Sequence, residues 1–322
     1  MIIMIQNEYE IITHNNNNFH IFLVNLLYRT PHIHKDYEIS LVVDGTLTLI
    51  NPLSEVQLTA GDFFVMNPFF SHELKARTPA LILSLQVSSD FFGSCYPQIE
   101  QTEFDTTQVL SAQNPDVCHT IRSLLFSLAY TYYDKEGYAP LKCASLIYQL
   151  FFYLLSTQKH HTVLAKEKQA AVTKGTRIWN ILRYTEEHFT EKILLTDIAR
   201  RENLDLYYLS HFFKESVGIS FQNYVMKLRC EKARQLLLLS DYSLLDISLI
   251  CGFSDPKYFN KGFETQYGCT PKAYRKNFQN AKLEPQQKSM LTTQEFLSES
   301  ASLVTLEKYS SRQNLPSKPF PF

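Results

Sequence analysis

Up to residue 90, apolar positions fall in short runs: Phe19–Leu27, Tyr37–Val43, Leu47–Ile50, Asp62–Met66 and Leu81–Val87. The runs are rich in β-branched and aromatic residues, and turn formers such as Asp44-Gly45, Asn51-Pro52, Gly61-Asp62 and Asn67-Pro68 separate them. Many short strands at this spacing predict a sandwich or barrel. The period then changes. Val117, Ile121, Leu124, Leu125 and Leu128, followed by Leu141, Ala144, Ile147, Phe151 and Leu154, recur at helical spacing. They predict two amphipathic helices in a hairpin around Gly137, either covering the barrel or forming a subunit interface. Residues 159–174 are polar without an apolar stripe and read as interdomain linker, while residues 281–322, rich in Ser, Gln, Lys and Pro, read as a disordered tail.

Beyond the linker the chain repeats itself. Asp197-Ile198-Ala199 matches Asp246-Ile247-Ser248, and Tyr208–Phe213 matches Tyr258–Phe263 about one repeat later. Each copy reads as helix, tight turn, helix. In the first, Thr196 is expected to cap a short helix Asp197–Glu202, Asp205 caps Leu206–Ser216, and Gly218 stops it. In the second, Ser243 caps a helix ending at Cys251, and Asp255 caps the next with Pro256 at its first position, where a missing N–H costs nothing. Such pairs are helix-turn-helix units. In each second helix the residues divide into an inward face (Leu209, Phe212, Phe213; Phe259, Phe263) and an outward face. The outward residues are Tyr207, Ser210, His211 and Lys214, then Lys257, Asn260 and Lys261. Donors on an exposed N-terminal half are what major-groove readout requires. The stretch Phe221–Leu238 reads as one linking helix, which at ~1.5 Å per residue spans about 25 Å, enough to hold two readers near successive major-groove segments.

Charge sharpens this division. Overall the chain is near neutral, 31 Lys and Arg against 32 Asp and Glu. Residues 1–173 carry 10 basic and 16 acidic residues, a net −6, whereas residues 174–280 carry 16 and 12, a net +4. Only the second part suits a polyanion. No run of about 18 apolar residues predicts a membrane span, and the start, Met1 to Glu10, lacks the pattern of a signal peptide. Six cysteines without a C-x-x-C pair fit reduced thiols in the cytoplasm.

Residues 177–276 resemble the DNA-binding domain of the AraC/XylS family of bacterial transcription regulators. The motifs that carry the resemblance are L-S-H-F-F-K-E-S-V-G-I-S-F, the linking helix Y-V-M-K-L-R-C-E-K-A-R-Q-L-L, and I-S-L-I-C-G-F-S-D-P-K-Y-F-N-K-G-F-E-T-Q-Y-G-C-T-P-K-A-Y-R. Carried over by position, Tyr207, Ser210 and His211, then Pro256, Lys257, Asn260 and Lys261, become base readers, with Pro256 unable to donate. Glu264, where the family usually has a basic residue, and the small Gly262 are departures that imply weaker DNA contact by the second unit.

Towards the N-terminus, His32, His34, Glu38 and Gly45 follow H-x-H-x3-E-x6-G, with His72 beyond Gly61-Asp62 and Pro68. This resembles the cupin motif pair, whose three imidazoles and one carboxylate suit Fe, Mn or Ni. The resemblance implies an effector pocket lined by His32, His34, Tyr37, Glu38 and His72, with a sugar as the family-level expectation. No cofactor is expected; a divalent metal at His32, His34, Glu38 and His72 is the lesser reading. The expected organisation is multidomain, α and β: a cupin-like β-barrel with a helical hairpin, for sensing and dimerisation (1–165), a linker (166–176), an all-α double helix-turn-helix domain (177–280) and the tail (281–322). The expected function is an effector-controlled transcription regulator, an activator, acting as a cytoplasmic homodimer on double-stranded promoter DNA with RNA polymerase, and not an enzyme. The rival readings are a cupin metalloenzyme, dioxygenase or isomerase, and a regulator controlled by partner proteins without an effector.

Overall fold

Strands β1 (Phe19–His32), β2 (Tyr37–Asp44), β3 (Thr46–Ile50), β4 (Glu55–Thr59), β5 (Phe63–Met66) and β6 (His72–Val87) build one antiparallel sheet in the computed structural model, which describes residues 18–106, 115–135, 137–279 and 294–313. The long β6 organises it. Its C-terminal half lies between β2 and β1, and its N-terminal half between β3 and β1. Alternation puts successive side chains on opposite faces. One face of the sheet (Tyr37, Ile39, Leu41, Leu83, Leu85) packs under helices α1 (Pro115–Asp134) and α2 (Ala139–Thr157). The other face (Val42, Leu49, Phe64, Met66, Ile82) folds onto itself as a second apolar cluster. The hairpin therefore covers the sheet. Helix α2 is long and apolar enough to cross a membrane by composition, but Cys143, Ile147, Leu150, Phe151 and Leu154 are buried in this core.

A short two-stranded sheet joins β7 (Thr102–Phe104) to β8 (His160–Thr162). The helical domain follows: α3 (Ala165–His188), α4 (Leu195–Arg201), α5 (Leu206–Val217), α6 (Phe221–Leu239), α7 (Leu244–Ile250), α8 (Pro256–Tyr267) and α9 (Pro271–Gln279). Its halves have separate cores, one built on Leu209, Phe213 and Tyr224, the other on Ile247, Phe259 and Phe263, with α6 contributing to both. Beside the second core, fully buried Arg234 pairs with Glu231 of the same helix at 2.8 Å, and Tyr267 of α8 donates to Glu231 at 2.6 Å.

Three expectations need correction. Residues 166–176 are not an irregular linker: they lie within α3, whose first turns are exposed and whose apolar stripe starts only at Ile178. Thr196 does not cap α4; Leu194 holds that position without a side-chain bond, and the helix starts at Leu195. Within the tail, residues 294–313 are ordered elements. Strand β9 (Gln294–Phe296) pairs antiparallel with β1, and helix α10 (Glu299–Gln313) lies on α1 with Ser302, Leu306 and Ser310 buried. Residues 281–293 and 314–322, like the N-terminal stretch 1–17, lie outside the described residues.

Candidate functional site

Helices α5 and α8, which carry the residues expected to read DNA, are built alike. Asp205 accepts from the backbone N–H groups of Tyr207 and Tyr208, Asp255 accepts from Lys257, and Gly218 (φ 84°) and Gly268 (φ 73°) close α5 and α8 in the left-handed conformation. These caps fix the helix starts and hence the outward faces. Tyr207, Ser210, His211 and Lys214 on α5 are exposed, as are Lys257, Asn260 and Lys261 on α8. The Tyr207 and His211 rings lie with centres 4.3 Å apart, tilted by 57°. Ser220 and Ser243 cap α6 and α7 through their hydroxyls. At Gly262 α8 crosses α6, and an added Cβ would meet the flexible end of the Met226 side chain.

In the first domain the end of β1, the start of β2 and the start of β6 bring three histidines together. The His72 ring lies 4.2 Å from that of His32 and 5.2 Å from that of His34. Each Nδ1 faces a backbone carbonyl: His32 to Thr30 at 3.0 Å, His34 to Asp36 at 2.7 Å, His72 to Phe70 at 3.2 Å. A carbonyl only accepts, so each Nδ1 carries a proton and each Nε2 is turned inward. His34 Nε2 is 3.1 Å from Glu38 Oε2, and His72 Nε2 is buried without a hydrogen-bond partner. Glu38 also accepts from Ser40 at 2.6 Å and Gln86 at 3.0 Å. Burial works to raise the Glu38 carboxyl, but His34, His72 and Ser40 outweigh it and hold it down at about 2. Burial, aided by His34, lowers His72 to about 4 despite the opposing Glu38 charge, and burial with the positive surroundings of His72 and Arg29 lowers His32.

Ligand atoms of His34, Glu38 and His72 lie within 4.8 Å of one another, so these residues fit a divalent ion. With Nδ1 protonated, the His34–Glu38 contact is attractive only if Nε2 is protonated too or a cation lies between them. His32 is beside this trio and outside it.

Tyr37 does not join the cluster. Its neighbour Glu38 points to the polar interior, so Tyr37 points the other way, against Phe104 and Phe151. Its hydroxyl is committed to the carbonyls of Ile99 and Thr102, each at 2.7 Å.

Above the histidines opens a cleft of about 770 Å³ between the sheet and α3. Its walls include Arg29, Lys35 and Gln86 from the sheet domain and Trp179 from α3. Lys35 sits 4.5 Å and Arg183 4.8 Å from the Trp179 ring. Neither Gln86 nor Trp179 stood out as sequence. The polar residues Ser84 and Gln86, alternating within the apolar run Leu81–Val87, were a usable signal: they lie opposite Ser40 and Glu38 across the ladder.

Comparison with known proteins agrees with both halves. Residues 25–151 match the family described as AraC-like ligand binding domain, and residues 198–277 match a helix-turn-helix domain family. An HTH-type transcriptional regulator of Staphylococcus aureus (strain MRSA252) is 23% identical over 237 residues, 74% of this chain and 31% of that protein. The chain thus spans about a third of the length of the first curated relatives it matches. The HTH-type transcriptional regulator YfiF of Bacillus subtilis (strain 168) is 24% identical over 258 residues, 78% of this chain and 80% of YfiF. Among solved structures, ToxT from Vibrio cholerae is similar at 13% identity, covering 80% of this chain and 98% of ToxT, with a TM-score of 0.42.

Proposed function

We infer, for a chain that belongs to the AraC/XylS family of transcription regulators, that α5 and α8 read adjacent major-groove segments of promoter DNA while the cleft over the histidines takes a small effector. The family assignment makes the protein a regulator with a ligand-binding domain rather than an enzyme. The observation that carries the DNA reading is the pairing of two identically capped helices with polar outward faces on one linking helix. Their readers are Tyr207, Ser210, His211 and Lys214, with Lys257, Asn260 and Lys261. Phosphate contacts make such binding salt-dependent. The test is a titration of the full chain against a duplex selected from a random-sequence pool, at several salt concentrations. A steep fall of affinity with salt supports the reading, and salt-independent or absent binding overturns it.

For the effector, the cleft lined by Arg29, His32, His34 and Gln86, with Glu38 and His72 against the two histidines, offers donors and acceptors suited to a hydroxylated metabolite such as a sugar. Tyr37 borders the cleft with its hydroxyl committed to the Ile99 and Thr102 carbonyls, so that hydroxyl is already occupied. Thermal-shift screening of sugars against the full chain tests this; a sugar that stabilises the wild type and not Gln86→Leu supports it. The fixed Nδ1–H groups of His34 and His72 also favour a divalent ion at His34, Glu38 and His72, and elemental analysis of tag-free protein decides that. The family reading further supports an activator working with RNA polymerase as a cytoplasmic homodimer. The exposed stripe of Tyr138, Leu141 and Phe152 on α2 is the face offered to a second copy.

A further inference from the structure

Arg29, near the end of β1, is half-buried and lines the cleft over the histidines. Among the described residues no hydrogen bond or ion pair engages its guanidinium, and its Nε is buried without a partner. The side chain reaches the histidine cluster, since its charge acts against protonation of both His32 and His72. Glu186 of α3 also feels this charge but does not pair with it. Burial raises the Glu186 carboxyl, Arg29 offsets that only in part, and Oε1 accepts from the Tyr224 hydroxyl at 2.8 Å. Three further carboxylates line the cleft. Asp90 and Glu100 are exposed to solvent, and Asp36 is buried and already engaged.

A guanidinium that has given up part of its water without gaining an acceptor is costly to keep. Its planar fork suits a carboxylate, which can accept two parallel N–H···O bonds. Lys35 adds a second cation to the cleft, 4.5 Å from the Trp179 ring. The other polar groups ask for hydroxyls. His32 donates its Nδ1–H to the Thr30 carbonyl, which leaves Nε2 as an acceptor. Gln86 donates its amide N–H to Glu38, which leaves the amide oxygen to accept. A carboxylate alone has no proton for these acceptors, and a neutral sugar leaves Arg29 uncompensated. The Phe69 ring walls the cleft on one side, where it fills the space over Gly175 of α3 so that any Cβ there would collide with it.

We propose that the cleft takes a hydroxylated carboxylic acid, such as a sugar acid, with its carboxylate on Arg29 and its hydroxyls on His32 and Gln86. The proposal rests on the reading that the cleft binds an effector, and it names the chemical class. Arg29 is then the specificity-determining residue, separating an acid from the neutral sugar of the same carbon skeleton.

The chain's single tryptophan, Trp179, lines the cleft and reports its occupancy by fluorescence. The full chain, washed with chelator so that no metal stands in for Arg29, is titrated with matched probes at fixed ionic strength. The pairs are glucuronate against glucose, galacturonate against galactose, and gluconate against sorbitol. Wild type, Arg29→Gln and Arg29→Lys are compared, each checked for folding by circular dichroism. At least one acid is expected to bind wild type at least tenfold tighter than its neutral partner. Arg29→Gln is expected to lose that preference, and Arg29→Lys to keep most of it. Without ligand, Arg29→Gln is expected to melt no lower than wild type, because it removes an unpaired charge. A lower melting temperature marks a structural arginine and overturns the proposal. Equal affinity for acid and neutral partner, or an acid preference that survives Arg29→Gln, also overturns it and leaves the cleft to neutral sugars. Silence of every probe overturns the reading of the cleft as a site for hydroxylated metabolites, a separate failure.

Discussion

Gln86 and Glu38 face each other across the β2–β6 ladder, and the Gln86 amide donates to the Glu38 carboxylate at 3.0 Å. The carboxylate is held charged chiefly by His34, with His72 and Ser40 adding to it. The polar interior of the sheet domain is therefore a defined arrangement in which Glu38, His72 and His32 are all shifted downward.

Stability of metal-free protein should fall on acidification. His72 is lowered from 6.5 to about 4, so the unfolded chain takes up its proton first. The neutral form is fully favourable above pH 6.5, and stability is lost as pH falls from 6.5 to 4, by on the order of 3 kcal/mol. Melting curves in chelator between pH 7.5 and 4.5 should show this slope, and His72→Gln should flatten it. Glu38 acts only below its ordinary value near 4.5, its stabilisation fading towards pH 2.

Tyr37→Phe should lower sheet-domain stability by about 1 kcal/mol, because the Ile99 and Thr102 carbonyls lose their shared donor. Once a stabilising ligand has been found by thermal shift, its affinity should be unchanged in this variant. A weakened ligand affinity at full stability would return Tyr37 to the pocket.

Gly262→Ala should destabilise the second helix-turn-helix unit by about 1 kcal/mol or less, because the Met226 thioether that an added Cβ meets is the flexible end of its side chain and can turn aside. Met226→Ala should relieve it. A double-mutant cycle by chemical denaturation checks the coupling, and additive effects would contradict the packing explanation for this glycine.

Lys261→Ala should weaken duplex binding at least tenfold at moderate salt and reduce the magnitude of the salt slope by roughly one. His211→Ala should instead lower discrimination between selected and scrambled duplexes. Mobility-shift titrations at three salt concentrations separate the two behaviours.

Legibility varied with how each element buries its apolar residues. Strands such as β2 and the tandem reader helices announce themselves through periodicity and caps. Strand β4, E-V-Q-L-T, has only two apolar positions and was missed. The first turns of α3 carry no stripe because they touch almost nothing. The serines that made the tail look unstructured are interface residues: Ser302 and Ser310 flank Leu306 at four-residue spacing and let α10 lie close on α1. The histidine cluster was readable from spacing. Strand alternation sends adjacent residues to opposite faces, so Tyr37 borders the cleft without joining the histidine cluster. Trp179 and Gly175 gave no sequence signal for the cleft, since their roles exist only once the two domains meet.

The return of the chain to β1 through β9 has a topological meaning. The helical domain is inserted between two segments of the sheet domain, Phe19–Thr157 and Gln294–Gln313, and is anchored at both ends on the same body. Cutting the chain after residue 280 therefore removes an edge strand and a covering helix from the sheet domain while leaving the reader helices whole.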